Sequence, residues 1–200
     1  MQNLHLIQSK GKELFGTHFQ IYHEDHEFIQ KLLAYFTQDK EQAQHFNLNL
    51  NKGLLITGPV GCGKTSLITV MRHLLVPDSR FAIKSCREIT FEFISGGYEV
   101  IQRYSTHAYS HKTDRRPSTH CFDDLGAESA IKYYGNQCNV MGEILLSRYD
   151  HFIANRMLTH ATTNLSASEL EDCYGNRVRS RMRELFNLVA FNSEAKDKRK

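Results

Sequence analysis

No stretch of this 200-residue sequence approaches the length of a transmembrane helix. Such a helix needs about 20 consecutive apolar residues. Residues 1–10 also lack the apolar segment of a secretory signal peptide. The sequence therefore predicts a soluble, cytoplasmic protein with no membrane partner.

Paired cysteines are lacking as well. The sequence has five cysteines, an odd number, and none of them belongs to a CxxC pair. This spacing suits neither a disulfide framework nor a zinc site, and it is typical of reduced thiols in a cytosol. The cysteines are Cys62, Cys86, Cys121, Cys138 and Cys173.

Internal repeats and low-complexity tracts are also absent, and the composition is globular, with 40% hydrophobic and 24% charged residues. A chain of 200 residues fits one ordinary domain. The net charge of +3 is uneven, because residues 177–200 carry eight basic and three acidic side chains. A basic end of this kind indicates either an anionic partner, such as a nucleic acid or a nucleotide, or a solvated tail.

Short apolar segments alternate with segments of helical periodicity along most of the chain. Strands are predicted at 53–57, 81–83, 120–122, 157–162 and 188–191. Helices are predicted from Asp25, which is placed as a cap, and at 67–76, 87–105 (interrupted by Gly96 and Gly97), 140–153, 167–173 and 177–185. This alternation predicts an α/β fold with a parallel sheet that is covered by helices on both faces.

Three segments lack a clear period. Residues 1–23 are predicted to be a loose arm, and the polar residues 40–51 a connector. Residues 106–118 are polar and basic and are predicted to form an exposed loop.

A phosphate-binding loop is predicted at residues 58–65, whose sequence GPVGCGKT matches the pattern G-x-x-x-x-G-K-[ST]. Gly58 and Gly63 let the backbone curl so that its N–H groups face phosphate oxygens, and the following helix adds its positive N-terminal end. Lys64 then reaches the β- and γ-phosphates of ATP, and the Thr65 hydroxyl holds Mg²⁺. The predicted nucleotide-binding residues are Gly58, Pro59, Val60, Gly61, Cys62, Gly63, Lys64, Thr65 and Ser66.

Cys62 lies inside this loop and has two interpretations. It is either a small residue that fills space, or a thiol whose alkylation or oxidation blocks ATP, since helix N-termini lower the pKa of thiols.

Two acidic residues follow the third predicted strand, in the sequence HCFDDLG. Ligands of open α/β sheets bind at this end of the strands. Asp123 is predicted to support Mg²⁺ through its water shell, and Asp124 to orient or deprotonate the attacking water. The alternative is a solvated turn with no role in chemistry.

Four motifs occur in the order found in AAA+ ATPases: KGLLITGPVGCGKT (52–65), FDDLGAE (122–128), TTN (162–164) and YGNRVRSRMREL (174–185). Between about residues 52 and 191 the chain resembles the DnaC/IstB-type branch, which comprises bacterial helicase loaders and the helper ATPases of insertion sequences. The resemblance implies a P-loop AAA+ core at 24–200, after an N-terminal arm at 1–23. It further implies a five-stranded parallel sheet between helices and no C-terminal helical lid.

The resemblance also implies roles for single residues. Asn164 matches the sensor-1 residue that holds the attacking water with Asp124, although it could instead be an ordinary cap at a strand end. Arg181 matches the arginine finger that is offered to the ATP of a neighbouring subunit, with Arg177 as the alternate or assisting finger; a basic, solvent-facing helix is the other interpretation. Arg199 is the one weak candidate for a sensor-2 residue. Most AAA+ proteins have Glu where Asp124 stands, so we expect slow turnover.

In this branch, helices after the second strand line a channel for single-stranded DNA, which implies such a role for residues 87–116. Stacking on aromatic rings together with neutralisation of phosphates is how sequence-tolerant binders hold single strands. Phe91 and Phe93 could instead belong to the core, and Arg115 and Arg116 to a solvated loop. The candidate side chains are Phe91, Phe93, Tyr98, Arg103, Tyr104, Tyr109, Lys112, Arg115 and Arg116.

The function expected from the motifs and the resemblance is that of an Mg²⁺-dependent AAA+ ATPase which self-assembles with ATP at subunit interfaces. It is expected to act in DNA replication or transposition, as a helicase loader or a mobile-element helper. The expected partners are single-stranded DNA and a replicative helicase or transposase. Two alternatives stay open: a nucleotide-gated binding module with negligible hydrolysis, and a small-molecule kinase built on the same loop.

Overall fold

Five parallel strands form the central sheet in the order β2-β3-β6-β1-β7, and a separate hairpin pairs β4 with β5. The computed structural model describes residues 2–110, 116–128, 131–133, 136–192 and 194–199. All five predicted strands are confirmed, each within two residues at either end. The strands are β1 (Gly53–Thr57), β2 (Ala82–Ser85), β3 (His120–Asp123), β4 (Ile131–Tyr133), β5 (Asn136–Cys138), β6 (Thr159–Thr163) and β7 (Phe186–Ala190).

Helices alternate with the strands of the sheet, as the periodicity predicts. They are α1 (Gln2–Phe15), α2 (His26–Phe36), α3 (Lys40–His45), α4 (Lys64–Leu74), α5 (Cys86–Gly96), α6 (Tyr98–Tyr104), α7 (Val140–Asn155) and α8 (Ala167–Leu185). Short 3₁₀ helices occupy His23–Asp25 and Pro77–Ser79. None of the helices in the described part of the chain has the length and apolar character needed to span a bilayer.

The chain forms two compact units. The first comprises Met1–Leu50, Ile56–Arg80 and Leu188–Lys200, and the second comprises Asn51–Leu55 and Phe81–Asn187. The boundary passes through β1 and β7, whose residues are divided between the units.

The prediction of a loose N-terminal arm is wrong, because most of residues 1–23 form α1, which packs on α4 in the first unit. Ile7 and Gly11 are buried on the inner side of α1. The ring of Phe19 fills the space where a side chain at Gly11 would stand. One of the buried positions of α1 is therefore a glycine, so the spacing of apolar residues in the sequence does not show a helical period. The carboxamide of Gln8 also ties this segment together, since it accepts the Ile21 N–H at 2.7 Å.

Residues 40–51 are likewise not a mere connector, because they contain α3. The Asp39 side chain caps this helix by accepting the Gln42 N–H at 3.0 Å. A six-residue helix with one buried apolar side chain, that of Ala43, has too little apolar pattern to be recognised by periodicity.

Glycines break two helical segments of the second unit where the sequence predicts interruptions. Gly97 separates α5 from α6 with a φ of 55°. Gly175 has a φ of 80° and a ψ of 161°, and it divides α8 into segments that match the predicted helices at 167–173 and 177–185. The hairpin of β4 and β5 was not predicted.

A fully buried arginine on α7 organises the core of the second unit. The Arg148 guanidinium donates to the Thr159 hydroxyl at 2.7 Å and to the carbonyls of Tyr104 and Leu158 at 2.9 and 2.7 Å. It also lies 5.5 Å from the centre of the Phe122 ring. Burial lowers the pKa of Arg148 to about 9. Each buried N–H needs an acceptor, and one acceptor of Arg148 is the Thr159 hydroxyl of β6. The arginine therefore attaches α7 to β6.

Candidate functional site

The phosphate loop connects β1 to α4 in the first unit. Gly61 and Gly63 have φ values of 79° and 101°, a region that residues with a β-carbon rarely adopt. Helix α4 then begins at Lys64, and no acidic residue lies in its first turn. The N-terminal end of α4 is therefore free of negative side chains within its own first turn, which suits it to an anion.

The Lys64 side chain is buried within the curve of this loop. Its ammonium group donates to the carbonyls of Gly58 and Pro59, at 2.8 Å each. Thr65 is exposed and Ser66 half-buried at the start of α4, and Val60 is exposed in the loop. The Lys64 ammonium thus lies against backbone carbonyls of the loop itself.

Cys62 is fully buried in the loop, 3.8 Å from the Lys64 ammonium. Burial raises the pKa of its thiol, and the positive charge of Lys64 opposes this only in part. A buried thiol with a raised pKa is inert at neutral pH. The structure thus favours the interpretation of Cys62 as a residue that fills space.

The donor set of the loop fits a nucleotide polyphosphate. The positive φ values of Gly61 and Gly63 and the start of α4 supply backbone N–H donors. The Lys64 ammonium supplies positive charge. The exposed hydroxyl of Thr65 is an oxygen ligand of the kind that Mg²⁺ takes.

The acidic pair stands at the end of β3 in the second unit and is tied to β6 through one threonine. The Thr162 hydroxyl donates to the Asp123 carboxylate at 2.7 Å and accepts the Asp124 N–H at 2.9 Å. Asp124 has a φ of 56°, and the next residue, Leu125, donates its N–H to the Thr162 carbonyl at 2.8 Å. Both aspartates are half-buried, and hydrogen bonds to β6 hold this turn.

Asn164 joins this cluster from the end of β6. Its amide nitrogen lies 3.5 Å from an oxygen of the Asp124 carboxylate, and the residue is exposed. The structure therefore brings Asp123, Asp124 and Asn164 together. Thr162 is the residue of this cluster to which no role had been assigned, although the TTN motif contains it.

A second bond holds the loop that follows the acidic pair. The Tyr174 hydroxyl donates to the Glu128 carboxylate, whose other oxygen accepts the Gly126 N–H at 2.9 Å. Tyr174 immediately precedes Gly175, where α8 kinks. The loop after β3 is thus connected to the point from which the second segment of α8 starts.

Both predicted finger arginines lie in that second segment. Arg181 is half-buried, and its guanidinium lies 4.4 Å from the centre of the Tyr149 ring. It also donates to the Tyr149 hydroxyl at 3.2 Å and pairs with Glu184 at 3.4 Å. Arg177, one turn earlier, is exposed. The contacts of Arg181 are therefore with α7 and α8 and not with the acidic pair.

Some of the aromatic residues predicted to contact DNA are not available to do so. Phe93 and Tyr104 are buried in the core, and the Tyr104 hydroxyl bonds the Glu92 carboxylate at 3.0 Å. Tyr109 is half-buried, with its hydroxyl 3.0 Å from the His151 ring. The prediction that Phe93 and Tyr104 stack on bases is wrong, because the apolar core holds both rings.

Two other predicted aromatic residues are exposed on the segment formed by α5 and α6. Phe91 is 56% exposed and Tyr98 is 63% exposed. The guanidinium of Arg87 lies 5.4 Å from the centre of the Phe91 ring. Ile94, a residue not singled out from the sequence, is exposed one turn after Phe91. Arg87, Phe91, Ile94 and Tyr98 are called the α5–α6 face below.

The basic residues predicted to contact DNA near this segment differ in their exposure and contacts. Arg103 is exposed and pairs with Glu92 at 3.2 Å, and Arg116 is exposed. Lys112 and Arg115 lie outside the described residues.

No family model matches the sequence, and no curated protein is significantly similar to it. Solved structures do resemble the fold. The crystal structure of the DnaC helicase loader has a TM-score of 0.59 at 16% identity, over 87% of this chain and 93% of that chain. The crystal structure of DnaI has a TM-score of 0.55 at 18% identity, over 87% and 88%.

AMPPCP-bound DnaA from Aquifex aeolicus has a TM-score of 0.55 at 15% identity, over 87% of this chain and 48% of that chain. The chain thus spans about half the length of that structure. These similarities confirm the predicted fold class, an α/β P-loop fold with a five-stranded parallel sheet between helices.

Proposed function

We propose that this chain is an AAA+ ATPase of the DnaC/IstB type that acts in DNA replication or transposition, as a helicase loader or a mobile-element helper. The observation that carries the proposal is the phosphate loop, in which the buried Lys64 ammonium is held at the start of α4. The fold shared with a DnaC helicase loader and with AMPPCP-bound DnaA supports it.

Lys64, Thr65 and Asp123 would hold Mg·ATP. When bound, Mg²⁺ would neutralise negative charge on the β- and γ-phosphates. Lys64 would move its ammonium group from the loop carbonyls to phosphate oxygens, and Thr65 would offer its hydroxyl as a ligand. Thr162 would keep the Asp123 carboxylate in one orientation through their 2.7 Å bond.

Asp124 and Asn164 would position the water that attacks the γ-phosphorus. Asp124 would accept a proton from that water, and the Asn164 amide would fix the water by a hydrogen bond. The bond from phosphorus to the bridging oxygen breaks as the new oxygen–phosphorus bond forms, which yields ADP and phosphate. The short side chain of Asp124 supports the expectation of slow turnover.

Assembly into a homo-oligomer would complete the site. Arg181, assisted or replaced by Arg177, would reach the ATP of a neighbouring subunit and stabilise charge that grows on the γ-phosphate. An arginine in this role contributes about 10³–10⁵ in rate. Arg181 would have to exchange its pairing with Glu184 for the nucleotide.

Single-stranded DNA is the nucleic-acid partner we propose, and the α5–α6 face is the surface we assign to it. Its exposed rings of Phe91 and Tyr98 suit stacking on bases, and Arg87 suits a phosphate. A replicative helicase is the proposed protein partner, with a transposase as the alternative.

The proposal is tested by ATP hydrolysis per subunit, measured against protein concentration with and without single-stranded DNA. Lys64→Ala should abolish ATP binding. Arg181→Ala should bind ATP but lose the rise in rate with concentration, whereas Arg183→Ala, an exposed arginine of the same helix, should behave as wild type. Tight binding without turnover would indicate a nucleotide-gated binding module. A rate that is independent of concentration in wild type and in Arg181→Ala would indicate a kinase-like monomer.

DNA contact needs a separate test, in which binding of a fluorescent single strand is measured by anisotropy. Phe91→Ala should weaken binding by about tenfold, because stacking contributes about 1–3 kcal/mol per base. Val76→Ala, a change at another exposed apolar residue, is the matched control. Equal affinities in the two variants would contradict the assignment of the α5–α6 face.

A further inference from the structure

Residues 194–199, called the strap here, lie against the phosphate loop within the first unit. The Lys198 N–H donates to the Gly61 carbonyl at 3.0 Å, which is a backbone bond between the strap and the loop. Ala195 is buried, and its N–H donates to the Asn192 carbonyl at 3.0 Å. This part of the basic end is therefore docked and not a freely solvated tail.

An ion pair fastens the strap to the segment that precedes α2. The Lys198 ammonium lies 2.5 Å from the Asp25 carboxylate. The Asp25 side chain is only 2% exposed and that of Lys198 15%. The ammonium is also 5.5 Å from the centre of the Tyr22 ring and 5.3 Å from that of Phe191. Removing one partner of such a buried pair leaves the other charge without compensation, so this contact is lost cleanly only when both residues are changed.

Asp25 was predicted to cap α2, but it makes no side-chain capping bond there. One carboxylate oxygen instead accepts the Tyr22 N–H at 2.9 Å, and the other accepts from Lys198. The carboxylate therefore caps the 3₁₀ helix at His23–Asp25 through the Tyr22 N–H and joins the strap through Lys198. We call the pair of Asp25 and Lys198 the latch.

The docked strap places one carboxylate, that of Asp197, against the phosphate loop. The Asp197 carboxylate fills the space where a β-carbon on Gly61 would stand, and it accepts the Arg199 N–H at 3.0 Å. Asp25 compensates the charge of Lys198. The carboxylate of Asp197 next to Gly61 is a negative charge that repels the phosphates of a nucleotide.

We infer that the strap inhibits the phosphate loop, and that opening the latch between Asp25 and Lys198 relieves the inhibition. This inference rests on the proposed binding of ATP at that loop. With the strap docked, the Gly61 carbonyl is bonded and a carboxylate faces the loop. With the strap released, both restraints are gone and the loop binds polyphosphate more tightly. ATP and the docked strap thus oppose each other, so each weakens the binding of the other.

Two changes test the inference by equilibrium titration with ATP. Asp197→Asn removes the charge next to Gly61 and keeps the shape of the side chain. Asp25→Asn with Lys198→Met opens the latch without leaving a buried charge, and the Asn oxygen can still accept the Tyr22 N–H. Each should tighten ATP binding about two- to fivefold, the size of one surface-charge interaction. Glu194→Gln and Lys196→Met change the same charges at exposed positions of the strap and are the matched controls.

Hydrogen exchange at the backbone amide of position 198, measured without nucleotide, reports docking of the strap independently of ATP. Faster exchange in the latch variant is expected. Unchanged or weaker ATP affinity in a variant whose exchange is faster overturns the inference. If the wild type binds no ATP, two cases are distinguished. A gain of ATP binding in the latch variant supports inhibition by the strap, whereas no binding in any variant refutes both the proposed function and the inference. Asp197→Asn keeps the test available if the latch variant does not fold.

Discussion

The Thr162 hydroxyl donates to the Asp123 carboxylate at 2.7 Å, and its oxygen accepts the Asp124 N–H at 2.9 Å. One hydroxyl on β6 thus fixes both acidic residues at the end of β3. A hydrogen bond to a charged group contributes about 1.5–3 kcal/mol, enough to select one orientation of the carboxylate.

Thr162→Val removes this bond and keeps the size and branching of the side chain. We expect ATP hydrolysis to fall by about tenfold or more, and to need a higher concentration of Mg²⁺, because the Asp123 carboxylate is no longer oriented. Thr162→Ser keeps the hydroxyl and should retain most of the activity. The measurement is the rate of hydrolysis as a function of Mg²⁺. A Val variant with the wild-type Mg²⁺ dependence would show that Thr162 does not position Asp123.

The local parts of the candidate site could be predicted because their determinants are contiguous in sequence. The phosphate loop needs glycines, a lysine and a helix start within eight residues, and the structure has Lys64 at the start of α4 as expected. The acidic pair was predictable for a related reason, since Asp123 and Asp124 directly follow an apolar strand.

Features that depend on distant residues were not predictable. Phe19 fills the place of a side chain at Gly11, so the buried stripe of α1 contains a glycine and shows no clear period. Arginine is typical of the exposed side of an amphipathic helix, yet carbonyls and one hydroxyl from several segments surround Arg148. The pairing of Asp25 with Lys198 joins residues 173 positions apart, which no local pattern reveals.

Two glycines of the second unit should differ in their tolerance of alanine. A β-carbon on Gly53 would overlap the Thr159 carbonyl on the neighbouring strand, whereas one on Gly175 meets nothing within 4 Å. Gly175→Ala should therefore cost only the strain of its positive φ, about 1–3 kcal/mol. Gly53→Ala should cost more than about 4 kcal/mol or prevent folding, since backbone atoms must separate. Urea unfolding of both variants measures the difference, and equal losses would contradict the overlap at Gly53.

The bond between Tyr174 and Glu128 should stabilise the second unit. Burial, together with the neighbouring Glu128 carboxylate, raises the pKa of Tyr174 above its usual range, so the hydroxyl stays a donor at neutral pH. Tyr174→Phe should lower the free energy of unfolding by about 1.5–3 kcal/mol, as for a bond to a charged group. Unfolding of Tyr174→Phe, Glu128→Gln and the double variant forms a cycle that isolates the pair. Additive effects of the two changes would show that the bond contributes nothing.

A buried histidine, His160, and a half-buried one, His120, should make the protein less stable in acid. Burial, with a smaller contribution from the positive charge of Arg148, lowers the pKa of His160 to about 3 and that of His120 to about 4. In addition, the His160 Nδ1 atom accepts the Leu54 N–H at 3.1 Å, a bond that a protonated ring cannot make. An unfolded histidine takes up a proton near pH 6.5. Between that pH and the folded pKa values, the unfolded state therefore binds more protons, and the stability present above pH 6.5 is lost as the pH falls.

Each histidine should contribute up to about 1.4 kcal/mol per pH unit to this loss. Urea unfolding at pH 7, 5.5 and 4.5 measures the slope. His160→Asn keeps an oxygen that can accept the Leu54 N–H and removes the titrating ring, so its free energy of unfolding should depend less on pH than that of wild type. His18→Gln changes an exposed histidine and serves as the control. The same dependence of unfolding free energy on pH in His160→Asn, His18→Gln and wild type would contradict the prediction. That result would mean that burial does not resist protonation of His160.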